Sequence, residues 1–170
     1  ADLTRYVGSH PMAGRERGGA IAARADLFLG RPWVLAPAPT AAADGLWAVE
    51  NIAADAGAIP IIMPAAEHDA AVALVSHVPQ VIASALAARL RGAVPEAVSL
   101  AGGGLRDTTR IAESDPALWV QILGANATPV AAILREIRSD LDAAITALDD
   151  PDAPGARARR APWASSPPWA

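Results

Sequence analysis

Three polar stretches stand out in a chain that is otherwise rich in small and aliphatic residues. The first is Gly-Ser-His-Pro-Met-Ala-Gly at residues 8–14, followed closely by Glu16. The proline after His10 keeps the histidine backbone extended, and the flanking glycines let other groups approach closely. A histidine held in this way can act as a general base near neutral pH. Taken alone, the stretch is more typical of an ordinary surface loop than of a catalytic one.

The second stretch is Ser76-His77-Val78-Pro79-Gln80, in the middle of a long apolar run. Buried polar groups need hydrogen-bond partners, and a proline inside a helix frees a backbone carbonyl that can bond a histidine. That would make His77 a satisfied core residue. Three polar side chains at one kink are better explained by a cavity that binds something polar.

The third stretch runs from Gly102 to Ile111, with three glycines followed by Arg-Asp-Thr-Thr-Arg. Backbone amides and two guanidinium groups could meet an anion here, since arginine suits bidentate capture of a carboxylate. The alternative is a solvated charged loop. The spacing is not that of the dinucleotide fingerprint. Together the three stretches offer a base, a polar cavity and a carboxylate clamp, which favours a small anionic substrate.

Composition excludes several classes of function. The 170 residues are 52% hydrophobic with a net charge of −4, which argues against nucleic-acid binding. No cysteine is present and all 14 basic residues are arginine, so thiolate, zinc–cysteine and Schiff-base lysine chemistry are excluded. We predict no metal site and a cytoplasmic location. The apolar run Ala70–Ala88 contains polar residues and predicts a buried helix, not a membrane span.

These stretches must be positioned by an α/β segment followed by helices. Apolar runs bounded by prolines predict strands at Arg5–Ser9, Trp33–Ala36 and Ala58–Met63. A helix over Ala41–Ala56 lies between the last two, with Gly57 just past its end. This rhythm predicts the end of an α/β layer.

After Pro64 the pattern becomes helical. The predicted helices are Ala65–Arg91, apolar on almost every face, kinked at Pro79 and surrounded by protein; Pro95–Leu100; Pro116–Ala125; and Pro129–Leu148. Asp115-Pro116 and Thr128-Pro129 each read as an N-cap before a first-turn proline. We therefore divide the chain into residues 1–64, a helical domain over 65–149 and a Pro/Arg/Trp-rich tail over 150–170.

The ordered set GSHPMAG…E, EHD…SHVPQ and GGGLRDTTRIAESDPALW resembles the prephenate dehydrogenase family, which includes arogenate dehydrogenases, from Tyr6 to Leu148. The resemblance implies a mostly helical protein: the end of a Rossmann-type domain, then an all-α dimerisation domain like that of 6-phosphogluconate dehydrogenase. It also implies a homodimer using NAD or NADP. The expected reaction is oxidative decarboxylation of prephenate to 4-hydroxyphenylpyruvate in tyrosine biosynthesis.

The resemblance also assigns residues. His10 matches the catalytic histidine, which accepts a hydrogen bond from the ring hydroxyl of the substrate. The other assigned residues are Arg110, which binds a substrate carboxylate; Glu16 and Asp107, which form a gating ionic network with Arg110; Ser76 and His77, which line the pocket; and Gly103 and Trp119, which the partner subunit brings toward it.

Two departures from the family pattern qualify these expectations. Gln80 stands where better-known members carry a second histidine that helps bind the substrate side chain. A neutral glutamine tolerates the ammonium group of arogenate better than a protonated histidine, which hints at arogenate or dual use. The glycine-rich fingerprint is also absent, so we expect the main cofactor site to lie outside these residues and the given chain to be an inactive fragment.

Two other classes of protein stay open at this point. One is a helical dimer module that retains the motifs without catalysis. The other is a different dehydrogenase with a Rossmann-plus-helical layout, which would lack the combined SHPMAG and RDTTR motifs.

Overall fold

The computed structural model describes residues 3–14 and 23–150. Its first part is a three-stranded sheet in the order β1-β2-β3. β1 (Val7–Pro11) is antiparallel to β2 (Pro32–Pro37), and β2 is parallel to β3 (Ile59–Ile62). The helix α1 (Ala43–Asp55) connects β2 to β3 and contacts both. This βαβ unit confirms the predicted α/β layer, with strand ends shifted by one or two residues.

The second part is helical. Its elements are α2 (Ala65–Val72), a π-turn (Ala73–His77), α3 (Val78–Arg89), a 3₁₀ turn (Leu90–Gly92), α4 (Pro95–Ser99), α5 (Gly103–Thr109), a second 3₁₀ turn (Arg110–Glu113), α6 (Pro116–Ala125) and α7 (Ala127–Asp149). The predicted order of an α/β end followed by an all-α segment is confirmed. The predicted tail covers residues 150–170, and all of it beyond residue 150 lies outside the described residues.

At the position of the predicted kink, the long central helix contains a π-turn just before Pro79. α2, the π-turn and α3 run on as one helical stretch, and the backbone N–H of Val78 bonds the carbonyl of Ala73, five residues back. A proline lacks an N–H and its ring clashes with the carbonyl four residues earlier. One wider turn just before Pro79 accommodates both effects, and such π-turns are frequent at functional sites.

The helical core lies where this stretch meets α7. Ala73, Val78 and Val130 are buried together. The partly buried residues packed against them are Ile82, Leu123, Ile133, Leu134 and Ile137. The apolar stripe predicted for α7 therefore packs through its first half. Its second half is exposed at Leu141, Ile145 and Leu148.

One expectation about burial is wrong for the single chain. The sequence predicts a central helix surrounded by protein, yet Leu74 and Val75 are 58% and 65% exposed. The reason is geometric: α7 and the sheet cover one face of the helix, and an apolar face of α2–α3 remains open. An exposed contiguous apolar face of this kind usually marks an interaction surface.

The two predicted proline-linked caps have different outcomes. Asp115 caps α6 as predicted, because its carboxylate accepts a hydrogen bond from the backbone N–H of Ala117 at 2.9 Å. The cap at Thr128 is wrong. α7 begins two residues earlier, at Ala127, with Asn126 in the N-cap position. Pro129 is then third in the helix, where a missing N–H costs no intrahelical bond.

Gly57 closes the βαβ unit through a left-handed backbone. Its φ is +76°, and its carbonyl accepts a bond from Gly30 at 2.7 Å, so the turns before β2 and β3 are tied together. A Cβ at this position would lie 2.8 Å from Cδ1 of Leu29. The positive φ favours glycine at this position, and an alanine would also force the exposed Leu29 side chain to move.

We predict that Gly57→Ala destabilises the fold more than Gly30→Ala, a matched control. Gly30 has a similar φ of +66°, but no atom of the described residues comes within 4 Å of the point that an alanine Cβ would occupy there. Backbone strain alone should cost about 1 kcal/mol at either site, and Gly57→Ala adds the clash with Leu29. Urea unfolding of both variants measures the difference. Equal losses would contradict the close contact.

Candidate active site

All three histidines of the chain gather where the sheet meets the helices. Nδ1 of His10, near the end of β1, lies 2.8 Å from Nε2 of His68 in α2. Nδ1 of His68 in turn lies 2.9 Å from a carboxylate oxygen of Asp69. The rings of His10 and His68 meet edge to face with centroids 5.0 Å apart. Two consecutive hydrogen-bond contacts therefore connect Asp69 to His68 and His68 to His10.

His77 forms the buried side of this cluster. It is 9% exposed, and its Nδ1 lies 3.1 Å from the amide nitrogen of Asn126. The same amide donates to the backbone carbonyl of Asp69 at 2.8 Å. The partner of His77 is therefore a side chain from the start of α7, and the suggestion that it bonds a carbonyl freed by Pro79 is wrong.

The environment lowers the pKa of two of these histidines. Burial is the main cause for His10, and electrostatic interactions with His68 and His77 lower its pKa further. Burial also lowers the pKa of His77, as does His68, while the Asp69 carboxylate opposes the shift. His10 is therefore neutral at neutral pH, which is the form that a general base requires.

A cavity of about 420 Å³ opens beside the cluster. Gln80 and Trp119 both line it, and Gln80 is buried with its amide 3.3 Å from the Ser84 hydroxyl. Trp119 also meets the His77 ring edge to face, with centroids 6.0 Å apart. Of the three polar residues predicted to form one cavity, only Gln80 lines it, and Ser76 and His77 do not. Trp119 joins the cavity to the histidine cluster. Ser76 is half-buried on the π-turn, beside His77.

The predicted carboxylate clamp immediately precedes, in sequence, residues that line the same cavity. Its three glycines do not form a separate loop, because Gly102 caps α5 and Gly103 begins it. Asp107 is exposed on α5, and Arg110 opens the following 3₁₀ turn, which packs against α3. Ala112 and Ser114, just beyond Arg110, line the cavity. Glu16 lies outside the described residues, so the gating network stays a prediction.

Sequence reasoning missed four residues of this region. His68 and Asp69 belong to the quoted EHD motif, but nothing in the 58-residue spacing between His10 and His68 shows that their rings meet. Asn126 has no recognisable sequence signal, because its burial is seen only in the structure. Arg91 lines the cavity with Gln80. Its position 11 residues after Gln80 on one helical run is the spacing that could have revealed it.

The two parts of the chain match two models of one family. Residues 1–62 match the nucleotide-binding domain of prephenate dehydrogenase, and residues 64–158 match its dimerisation domain. The second match alone covers more than half of the chain. The chain belongs to the prephenate dehydrogenase family. The predicted resemblance is therefore confirmed, and the alternative of an unrelated Rossmann-plus-helical dehydrogenase is excluded.

Curated relatives agree with this membership. The chain is 40% identical over 148 residues to NovF, a probable prephenate dehydrogenase of Streptomyces niveus. It is 31% identical over 152 residues to the prephenate dehydrogenase of Bacillus subtilis. These alignments cover 86% and 88% of the chain but 41% of each relative. The chain thus spans about two fifths of the length of these family members.

Solved structures of the family share the fold. The Aquifex aeolicus prephenate dehydrogenase, solved with hydroxyphenyl propionate and NAD⁺, superposes with a TM-score of 0.77 at 31% identity, covering 85% of this chain and 52% of that one. The Synechocystis arogenate dehydrogenase gives a TM-score of 0.75 at 28% identity, covering 91% and 58%.

We predict that mild acid destabilises the fold through the histidine cluster. The folded pKa values of His10 and His77 lie below 6.5, so the unfolded chain binds protons first as pH falls. Stability is fully present above pH 6.5 and is lost between that value and the lowered folded pKa values. Urea unfolding at about pH 7.5 and about pH 5.5 measures this loss, since most carboxylates titrate lower.

His10→Asn should reduce that loss, because one of the two shifted groups is gone. Glu67→Gln, an exposed neighbour of His68 on α2, serves as the control and should leave the loss unchanged. Equal stability of the wild-type chain at both pH values would contradict the prediction.

Proposed function

We propose that this chain supplies the general base and the substrate pocket of an NAD-dependent prephenate dehydrogenase, which converts prephenate to 4-hydroxyphenylpyruvate and CO₂. The observation that carries the proposal is the placement of His10. It extends from the nucleotide-binding part into a cluster with His68 and His77 of the dimerisation part, and its pKa is lowered. A base at this junction stands between the expected positions of cofactor and substrate.

The chemistry requires one proton to leave and return. His10 accepts the proton of the ring hydroxyl while the hydride leaves the carbon that bears it, which gives a dienone. The bond from the ring to its carboxylate then breaks, CO₂ departs, and the electron pair makes the ring aromatic. The oxygen that becomes phenolate takes the proton back from His10. General base assistance of this kind is worth about 10²–10⁴-fold in rate.

The NAD-type cofactor, when bound, accepts the hydride. The β2–α1–β3 unit fits one unit of a dinucleotide-binding domain. The glycine-rich fingerprint that cradles the diphosphate does not occur in the 170 residues. We therefore assign no residue of this chain to the cofactor, and the choice between NAD and NADP is left to residues other than these.

The substrate is proposed to bind between the cluster and the cavity beside it. Arg110 is the residue that we assign to a substrate carboxylate, supported by its position next to the cavity wall. The ring contact between His77 and Trp119 links the histidine cluster to the cavity wall, and Ser76 precedes His77 on the π-turn. We propose that all three line the substrate pocket. Glu16 and Asp107 complete the proposed gate with Arg110, and Gly103 with Trp119 is proposed to border the pocket of the partner subunit.

A second copy of the chain is the proposed occupant of the open apolar face of α2–α3. By length and composition the helical run Ala65–Gly92 could also cross a membrane, with a mean hydropathy of 1.7 over an 18-residue window. His77 and Gln80 within that run are buried against protein, which is typical of a core helix. The match to a dimerisation domain favours a homodimer. The cytoplasm is the location that we propose for it.

We predict that His10→Asn lowers kcat by about 10²–10⁴-fold with little change in KM, because it removes the base and preserves the shape. Steady-state assays of the full-length protein with prephenate and NAD measure both constants. Arg110→Gln is the contrasting variant and should chiefly raise KM. An unchanged kcat in the His10 variant would remove that residue from the proposed role.

Arogenate is the second candidate substrate, and Gln80 is the observation that favours it. Its amide lines the cavity in a neutral state at any pH, where an ammonium group would avoid the repulsion of a protonated histidine. The superposed Synechocystis protein is an arogenate dehydrogenase.

We predict that Gln80→His shifts the ratio of kcat/KM toward prephenate, and more strongly in mild acid where the new histidine is charged. Parallel assays of the full-length protein with both substrates give the ratio. Ser84→Ala, which removes only the neighbour of Gln80, should leave the ratio nearly unchanged. A wild-type protein that strongly prefers prephenate would sink the arogenate proposal.

A further inference from the structure

We propose that Asp69 and His68 form a positioning dyad that fixes the tautomer of His10 and leaves its Nε2 free to accept a proton. The inference rests on the proposed role of His10 as a base. It assigns a function to two residues for which neither composition nor spacing gave one. It is carried by two consecutive contacts, 2.9 Å from Asp69 to His68 and 2.8 Å from His68 to His10.

The directions of these hydrogen bonds follow from the carboxylate end. An ionised carboxylate only accepts, so Nδ1 of His68 carries the proton that is donated to Asp69. A neutral imidazole has one donor and one acceptor, so Nε2 of His68 accepts. Nδ1 of His10 must then donate to it. The remaining nitrogen of His10, Nε2, keeps its lone pair.

The opposite tautomer of His10 could not act as a base through Nε2. Without an acceptor at Nδ1, the neutral ring could place its proton on either nitrogen, and only one form is productive. When His10 takes up the substrate proton, the cation forms with its Nδ1–H already bonded to His68, which is itself oriented by a negative charge. The proton returns from Nε2 to the product oxygen. Neither His68 nor Asp69 gains or loses a proton in the cycle.

The surroundings hold the dyad in place. Asn126 donates to the backbone carbonyl of Asp69, which fixes the first turns of α2 against α7. The His68 side chain is 17% exposed and that of Asp69 is 56% exposed. Water therefore screens the Asp69 charge, and its contribution is chiefly orientation. This is why we assign a positioning role and do not call either residue catalytic.

Few other titratable groups among the described residues face His10. On α2 these are His68 and Asp69, and on the π-turn it is His77. The neighbouring strand β2, with the sequence PWVLAP, carries no titratable side chain. α1, which also contacts β1, carries Asp44, Glu50 and Asp55. The largest effects of charge on the pKa of His10 come from His68 and His77.

The test compares two substitutions of His68 in the full-length protein. His68→Phe removes the acceptor and should lower kcat by roughly 10²-fold, the usual cost of a misplaced catalytic group, with KM nearly unchanged. His68→Gln keeps an acceptor near the position of Nε2 and should recover most of that loss. Asp69→Asn should lower kcat by a smaller factor, because Asn can donate to His68 and reverse both bonds. Glu67→Gln on the same helix is the control and should match the wild type.

Two readouts separate positioning from a merely structural role. The acid limb of kcat/KM should move to higher pH in His68→Gln, because the electrostatic interaction with the His68 ring that lowers the pKa of His10 is gone. Nitrogen-15 spectra of the His10 ring should show the proton on Nδ1 in the wild type and a mixture of tautomers in His68→Phe.

The outcomes distinguish the two proposals. If the wild type turns over neither prephenate nor arogenate, the proposed function fails, and the nitrogen-15 spectra still decide the tautomer. If the wild type is active but His68→Phe retains full kcat, or if the proton of neutral His10 resides on Nε2, the dyad is refuted. A His68→Gln variant as slow as His68→Phe would also overturn it.

Discussion

A buried imidazole needs a hydrogen-bond partner, and in this chain Asn126 meets that need for His77. One amide group bonds both the imidazole on the π-turn and the carbonyl of Asp69 on α2. It thereby fixes the relative placement of α2, the π-turn and the start of α7. The histidine cluster, the side of the cavity next to Trp119 and the junction with the sheet all depend on that placement. An unsatisfied buried polar group here would cost about 1–3 kcal/mol.

The sequence predicted those features whose causes are local. α6 begins and ends where expected, because the Asp115-Pro116 cap is decided within three residues. The βαβ order was likewise readable from prolines and Gly57. The predicted cap at Thr128 is wrong because Asn126, two residues earlier, makes a tertiary hydrogen bond to His77. The helix begins directly after Asn126. At this helix start a long-range hydrogen bond outweighs the local capping preference of the sequence.

In the candidate site, too, residues within local motifs could be predicted and contacts between distant residues could not. His10, His77, Gln80 and Trp119 were identified from motifs, and the structure brings them to one region. The role of His68 could not be predicted, because a contact between residues 58 apart is a property of the fold. The open apolar face has a similar origin. Sequence hydropathy indicated that the central helix should be covered, but it could not indicate that a single chain covers only one side.

The junction between the two family segments has an evolutionary and practical consequence. His10 belongs to the segment matched as nucleotide-binding, and His68 to the segment matched as dimerisation domain. Their 2.8 Å contact crosses that boundary. The environment of the histidine is therefore a shared property that neither segment possesses when separated from the other. A chimera of two relatives joined at this boundary would keep the pairing only if both histidines and the packing between the segments were retained, so substitutions on one side constrain those on the other.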